Sequence, residues 1–97
     1  MAGCAVMLAL GMTTNAQAAS GTLTYVRADT GDTSTIDNPP DQFCLFVNDA
    51  LSAHNDTNST ATFYADSFCD PNQFLGVAQP GQGVSFGSVH PMSVRFG

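Results

Sequence analysis

The sequence contains no lysine, no glutamate and no tryptophan, and its only cationic residues are Arg27 and Arg95. Eight aspartates outnumber these two arginines, so the net charge of the 97 residues is −6. Proteins that bind nucleic acids or anionic membrane surfaces need a cationic footprint, which this chain lacks. Its length allows one domain and excludes dinucleotide-binding folds and eight-stranded α/β barrels. We therefore expect neither nucleic acid nor membrane among its partners.

Long apolar runs are also missing. A short one extends from Ala5 to Met12 and is too short to span a bilayer. A polar stretch follows, and then Ala16-Gln17-Ala18, which matches the A-x-A pattern of a signal-peptide cleavage site. The pattern predicts a secretory signal peptide over residues 1–18 and an extracellular domain over residues 19–97. A buried N-terminal helix is one alternative, and lipidation at Cys4 is another, although the apolar run follows this cysteine instead of preceding it.

Cysteine is scarce as well. Removal of the signal peptide removes Cys4 and leaves two cysteines, Cys44 and Cys69. An even pair in an exported chain is typical of a disulfide, and a domain this small usually needs such a covalent link. Two free buried thiols are the alternative. A metal site made of cysteine alone is excluded, because two ligands are too few.

No segment shows a sustained helical period, and the apolar runs are short and rich in valine, phenylalanine, tyrosine and threonine. Turn-forming residues separate these runs. The predicted strands are Thr22–Arg27, Phe43–Asn48, Thr60–Ala65, Phe74–Val77, Val84–Val89 and Met92–Phe96. The run from Phe43 to Asn48 is almost wholly apolar, which indicates a strand buried on both faces. Roughly six to eight short strands predict an all-β fold, either a small sandwich or a small barrel.

The two halves of the chain show a weak internal repeat. Leu51–His54 aligns with Met92–Arg95 at a spacing of 41 residues, and Thr22–Tyr25 aligns with Ala61–Tyr64 at a spacing of 39. The spacings predict two halves of four strands each, and chance similarity between short β-rich segments is the alternative. Two such Greek keys packed face to face would each hold one cysteine, so the disulfide would tie the halves together.

The segment Phe63–Asp70 resembles the aromatic corner of βγ-crystallin Greek keys. Phe63 and Phe68 occupy the two aromatic positions of that motif, and Asp70 stands where the family has glycine. Ser93–Phe96 is similar to the Ser-Val-Arg ending of the same motif. The chain thus resembles small secreted actinobacterial members of the superfamily, which include metalloproteinase-inhibitor and killer-toxin-like proteins. The resemblance implies a small Greek-key β-sandwich of βγ-crystallin-like type and a binding function without catalysis.

The run Asn55–Thr60 is dense in oxygen-bearing side chains. Calcium takes six to eight oxygen ligands, and the run also resembles the calcium signature of the same superfamily, with threonine in place of the last serine. The candidate ligands are Asn55, Asp56 and Ser59, and an extracellular calcium-binding structural domain is the alternative function. A solvated turn rich in Asn and Asp is the other interpretation of this run.

Two further patterns bear on chemistry. Asp29, Asp32 and Asp37 form a second oxygen-rich loop, which is either a calcium site or an acidic loop that keeps the protein soluble. Gly83–Gly87 has the form G-x-S-x-G around Ser85, the nucleophile motif of many hydrolases. That motif needs a strand before it and a helix after it, whereas here a Pro-Gly turn precedes and no helix follows. We therefore expect no enzyme activity.

Together these features predict a secreted, monomeric, single-disulfide binding protein with no resident cofactor. An extracellular protein partner would contact exposed loops, and the candidates are Asn38–Asp41 and Gln79–Gly83. In a protease inhibitor, Pro39-Pro40 would hold one of these loops extended, because proline fixes the backbone. Nothing in the sequence identifies the residue that would enter a protease.

Overall fold

A computed structural model describes residues 18–97, which form eight β-strands and one short 3-10 turn at Pro71–Gln73. The strands are β1 (Gly21–Arg27), β2 (Thr33–Asp37), β3 (Cys44–Phe46), β4 (Ala50–Thr57), β5 (Ala61–Tyr64), β6 (Phe74–Ala78), β7 (Gly83–Ser85) and β8 (Ser93–Phe96). All neighbouring strands are antiparallel, and they build two four-stranded sheets. The predicted all-β class is confirmed. The predicted signal peptide lies outside the described residues, apart from Ala18.

The two halves of the chain repeat one topology and exchange a strand. Sheet 1 has the order β2-β1-β4-β7, and sheet 2 has the order β3-β8-β5-β6. Each half therefore places its first, second and fourth strands in one sheet and gives its third strand to the other. The fourth strand returns beside the first, as in a Greek key. This exchange interlocks the halves, because neither sheet is complete without a strand from the other half.

The strand register shows how many residues separate equivalent positions in the two halves. Leu23 lies opposite Asn55 in sheet 1, and Ala61 lies opposite Phe96 in sheet 2. The fourth strands therefore correspond at the predicted spacing of 41 residues, whereas the first strands correspond at 38. The predicted spacing of 39 is wrong, because a slip of one residue would turn every inward side chain of the strand outward.

The core lies between the sheets and is apolar. Its buried members include Leu23, Tyr25, Val94 and Phe96. Phe63 contacts the half-buried Phe86 edge to face, with ring centroids 5.1 Å apart. Each fully buried side chain of this size stabilises the fold by about 1.5–3 kcal/mol. The core therefore draws on both sheets and leaves their outer faces to define the surface chemistry.

Two strands lie where the sequence predicted loops. β2 falls in the supposed acidic loop, and its alternate residues Thr33, Thr35 and Asp37 are exposed, as expected for a polar edge strand. β4 continues to Thr57 through the supposed turn, because its pairing with β1 includes Asn55. Strand pairing in the folded protein outweighs the low strand propensity of these polar residues.

One predicted burial is also wrong. The segment from Phe43 to Asn48 was expected to form a strand buried on both faces, but β3 spans only Cys44–Phe46 and lies at the edge of sheet 2. Leu45 turns toward the core, whereas Phe43 and Phe46 are exposed. An uninterrupted apolar run is therefore no guarantee of burial when the strand sits at an edge.

Candidate functional site

A disulfide joins Cys44 in β3 to Cys69 in the β5–β6 loop, residues 65–73. The two Cα atoms are 5.8 Å apart, within the ordinary range for such a bond. The predicted pairing is confirmed, and it links the first half of the chain to the second. Disulfides persist in oxidising compartments, so this bond is consistent with an extracellular location.

The β5–β6 loop is held in shape by the carboxylate of Asp66. Its Oδ2 accepts a hydrogen bond from the backbone N–H of Phe68, and its Oδ1 accepts one from the N–H of Asp70, each at 3.1 Å. At the base of the loop, the N–H of Ala65 donates to the carbonyl of Gln73 at 2.8 Å. An aspartate that binds backbone two residues ahead is a standard turn-stabilising arrangement. Asp66 therefore has a structural role in the loop.

Ser93 pins the same loop to the outer face of sheet 2. Its side chain is fully buried in β8. The hydroxyl donates to the carbonyl of Asp66 at 2.7 Å and accepts from the N–H of Cys69 at 3.1 Å. Cys69 has a φ of +54°, a left-handed conformation that costs an ordinary residue roughly 1–2 kcal/mol. The disulfide and the serine together hold the loop in that conformation.

Three large aromatic side chains close in sequence to the disulfide cysteines are exposed to solvent. Phe43 is 56% exposed, Phe46 55% and Phe68 85%. Each lies within two residues of Cys44 or Cys69 in the sequence. Because consecutive Cα atoms are 3.8 Å apart and the disulfide is short, the Cα atoms of Phe43 and Phe68 lie within about 13 Å of each other. We call these three side chains and the disulfide the disulfide patch.

Polar groups surround the patch. Arg95 lies opposite Cys44 on the neighbouring strand, and its guanidinium donates to the side-chain oxygen of Gln42 at 2.7 Å. The carboxylates of Asp66 and Asp70 lie in the loop on either side of Phe68. An apolar aromatic centre with a polar rim is the usual anatomy of a protein-binding surface.

The structure does not bring the predicted calcium ligands together. Asn55 is fully buried, and its Oδ1 already accepts hydrogen bonds from the N–H and the hydroxyl of Thr57. Its Nδ2 donates to the carbonyls of Ser59 and Ala78. Asp56 points to the opposite face of β4, and the hydroxyl of Ser59 donates to Asp41. Asn55 therefore links β4 to the backbone carbonyls of Ser59 and Ala78. Its side-chain oxygen accepts two hydrogen bonds and is not free to bind a cation.

The aspartates of the second oxygen-rich loop also make contacts with different residues. Asp29 accepts two hydrogen bonds from Arg27, with a shortest distance of 2.7 Å, and this contact lowers the pKa of the aspartate. Asp37 accepts a hydrogen bond from the hydroxyl of Thr22 across the β1–β2 pair. Within residues 18–97 no group of three or more His, Cys, Asp or Glu side chains is placed to hold a metal ion.

Ser85 lies on the same outer face of sheet 1 as a histidine–aspartate pair. Nε2 of His54 is 3.0 Å from Oδ1 of Asp56. Ser85 is paired with Ser52, which lies two residues before His54 on the same face of β4. In the described part of the chain no hydrogen bond joins Ser85 to His54, and no pocket lies beside them. A nucleophile needs contact with its base and a cavity for the substrate, and this arrangement offers neither.

The two loops that were predicted from the sequence to contact a partner differ in their exposure. Pro39 is fully buried, and its carbonyl accepts from the N–H of Ala19 at 2.7 Å. The N–H of Asn38 donates to Gly21, whose own N–H donates back to the Asn38 side chain. Pro39 is therefore fastened to the body of the domain, whereas Pro40 beside it is exposed. Gln79–Gly83 is an exposed tight turn.

Comparisons with protein-family models, with curated proteins and with solved structures find no match to this chain. Within residues 18–97 no helix has the length and apolar character needed to cross a membrane. The disulfide patch is therefore the feature of the molecule that points to a function.

Proposed function

We propose that the protein is a secreted, non-enzymatic binding module whose disulfide patch contacts an extracellular protein partner. The observation that carries the proposal is the exposure of three phenylalanines that lie within two residues of Cys44 or Cys69 in the sequence. Monomeric proteins rarely expose large apolar patches unless the patch has a function. The disulfide and the A-x-A pattern near the N-terminus support secretion.

Phe68 is the proposed anchor of this surface. It is the most exposed of the large apolar side chains, and the loop that carries it is held by Asp66, Ser93 and the disulfide. A loop whose backbone is already fixed in place loses little conformational entropy when a partner binds the side chain that it carries. Aromatic residues of this kind dominate the binding energy of many protein interfaces.

The backbone at Phe68 favours a pocket-filling contact over a substrate-like one. An inhibitor that enters a protease as a substrate offers an extended backbone whose N–H groups pair with the enzyme. The N–H of Phe68 is instead bonded to Asp66 within a turn. We therefore propose that the module inserts the Phe68 ring into an apolar pocket of its partner, as a toxin-like or signalling contact would. The resemblance to βγ-crystallin-like secreted proteins, which rests on Phe63, Phe68 and Ser93–Phe96, belongs to the same proposal.

The test is the loss of binding when the anchor is removed. The oxidised protein is immobilised, secreted proteins from its own culture medium are captured, and the affinity of the captured partner is measured by surface plasmon resonance. Phe68→Ala should weaken binding about 30-fold, which corresponds to roughly 2 kcal/mol at a hot spot. Val89→Ala, at an exposed apolar residue outside the patch, should leave the affinity unchanged. Equal binding by Phe68→Ala and the original protein, or no captured partner, would refute the proposal.

A further inference from the structure

Two adjacent sequons lie where β4 turns into β5. Asn55–Thr57 and Asn58–Thr60 each consist of an asparagine, a residue other than proline, and a threonine. In exported proteins this pattern is the acceptor for an N-linked oligosaccharide, and a bulky glycan requires a surface position. Because the sequence predicts export, both asparagines would meet the transferring enzyme, and the fold decides which of them can carry a glycan.

Asn55 cannot carry a glycan in the folded protein. Its side chain is fully buried in β4. Both hydrogens of its Nδ2 are in use, because this nitrogen donates to the carbonyls of Ser59 and Ala78, each at 2.8 Å. A sugar on Nδ2 would replace one of these hydrogens and would force a large polar group into a closely packed interior. A chain glycosylated at Asn55 is therefore incompatible with this fold.

Asn58 has the opposite surroundings. It is exposed, in the three-residue connection between β4 and β5. Its Oδ1 accepts a hydrogen bond from the N–H of Ser20 at 2.8 Å, and its own N–H donates to the carbonyl of Ser20 at 3.0 Å. Within residues 18–97 its Nδ2 makes no hydrogen bond. The side chain is thus held through its oxygen, and its nitrogen can accept a substituent without the loss of a hydrogen bond.

The place of Asn58 in the fold also separates a glycan from the loop that carries Phe68. β5 begins directly after the β4–β5 connection and ends directly before the β5–β6 loop. The four residues of this strand span about 13 Å. The hydroxyl of Thr60 in the same connection donates to the side-chain oxygen of Gln79 at 3.0 Å, so this end of β5 lies beside the end of β6. A glycan on Asn58 therefore leaves from the end of β5 that is remote from the start of the β5–β6 loop.

We propose that Asn58 is an N-glycosylation site and that Asn55 is not, so the exported protein carries a glycan at one of its two sequons. The donor is a lipid-linked oligosaccharide pyrophosphate of the export pathway. Nδ2 bonds to the first sugar carbon while the bond from that carbon to the pyrophosphate breaks. The lipid pyrophosphate leaves with the electron pair, and Nδ2 loses one proton. This site requires export of the chain but not the binding function of the disulfide patch.

The experiment produces the complete chain behind an export signal in a eukaryotic host that performs N-glycosylation, and recovers the protein from the medium. Its mass should exceed that of the polypeptide by one oligosaccharide, which peptide N-glycosidase should remove. That enzyme converts the carrier asparagine to aspartate, so tandem mass spectrometry should locate the change at Asn58. Thr60→Ala removes the hydroxyl of this sequon, leaves the Asn55 sequon intact and should abolish the glycan. Ser59→Ala is the matched control, because it removes the neighbouring hydroxyl and should keep the glycan.

Three results would overturn the proposal. The first is secreted original protein without a glycan, and the second is a glycan on Asn55 in protein whose circular dichroism spectrum is native. The third is a glycan that persists in Thr60→Ala, or one that Ser59→Ala removes equally well. Asn58→Gln is a second variant, which removes the acceptor nitrogen itself and should also lack the glycan. Phe68→Ala should carry the glycan unchanged, so failure of this site and failure of partner binding are separate outcomes.

Discussion

The β1–β2 loop, residues 28–32, and the β5–β6 loop occupy equivalent positions in the two halves, yet they are fastened in different ways. The first is a tight turn in which the N–H of Gly31 donates to the carbonyl of Arg27. Its side-chain contacts include the surface ion pair of Arg27 with Asp29 and a hydrogen bond from the N–H of Asp32 to the hydroxyl of Thr30. The second is longer, folds onto its own sheet and is fixed by the disulfide and Ser93. One topology thus supports a plain turn in one half and a rigid platform for an exposed aromatic residue in the other.

Two serines show how the difference arises. Ser52 in β4 and Ser93 in β8 are equivalent by the spacing of 41 residues. Ser93 is buried beneath the β5–β6 loop and bonds to it twice, whereas Ser52 is half-buried and lies opposite Val26 and Ser85. The same residue type becomes a structural anchor only where a long loop folds back over it.

The largest expected effect concerns the disulfide. The bond closes a sequence separation of 25 residues. The chain-entropy model then predicts that replacing both cysteines, as in Cys44→Ala with Cys69→Ala, lowers the free energy of unfolding by about 3.5 kcal/mol. The melting temperature should fall by roughly 15–25 °C for a domain of this size. The measurement is a thermal melt followed by circular dichroism.

Reductant provides the control for the disulfide variant. It should lower the melting temperature of the original protein and leave that of the double variant unchanged. A double variant that melts within a few degrees of the original would show that noncovalent contacts alone fasten the β5–β6 loop.

A smaller effect is expected at the two equivalent serines. Ser93→Ala leaves the half-buried carbonyl of Asp66 and the buried N–H of Cys69 without these partners, so it should destabilise the protein by about 2 kcal/mol. Ser52→Ala is the matched control and should change stability by no more than about 0.5 kcal/mol. Urea denaturation of the two variants measures both values. Equal effects at the two positions would contradict the distinction between the loops.

The smallest effect is expected at the ion pair of the β1–β2 loop. The hydrogen bond from Arg27 holds the pKa of Asp29 below its ordinary value of 3.8. A lowered pKa means that the pair contributes at neutral pH and is lost as the pH falls below about 4. Because the pair lies at the surface, where solvent screens it, Asp29→Asn should lower the melting temperature at pH 7 by about a degree at most. Melts at pH 7 and pH 3 measure this, and a larger loss at pH 3 than at pH 7 would contradict it.

Much of the fold could be predicted from the sequence. The alternation of apolar residues and the turn residues between them located six strands, and an even number of cysteines in a predicted exported chain indicated the disulfide. β2 and β4 were missed because their strand character comes from pairing with β1, which no local pattern reveals. Asn55 illustrates the point, since its burial depends on carbonyls of Ser59 and Ala78.

The candidate site was harder to predict. Phe43 and Phe46 were expected to be buried because the apolar run gives no sign that β3 is an edge strand. Phe68 could have been found, because it stands alone among polar residues in Asp-Ser-Phe-Cys-Asp, where no strand could bury it. The rigidity of the loop that carries Phe68 could not have been predicted, because it depends on Ser93 in a distant strand.

The most direct test of the account is amide hydrogen exchange measured by NMR on the oxidised and the reduced protein. The claim is that the disulfide and Ser93 make the β5–β6 loop a rigid platform for Phe68. In the oxidised protein, the amides of Phe68, Cys69 and Asp70 should exchange at least about tenfold more slowly than that of Asp32, whose N–H donates to the exposed hydroxyl of Thr30 at 3.2 Å. Reduction should accelerate exchange at these three amides and leave the β1–β2 loop unchanged. Equal exchange in the two loops before reduction would contradict the claim.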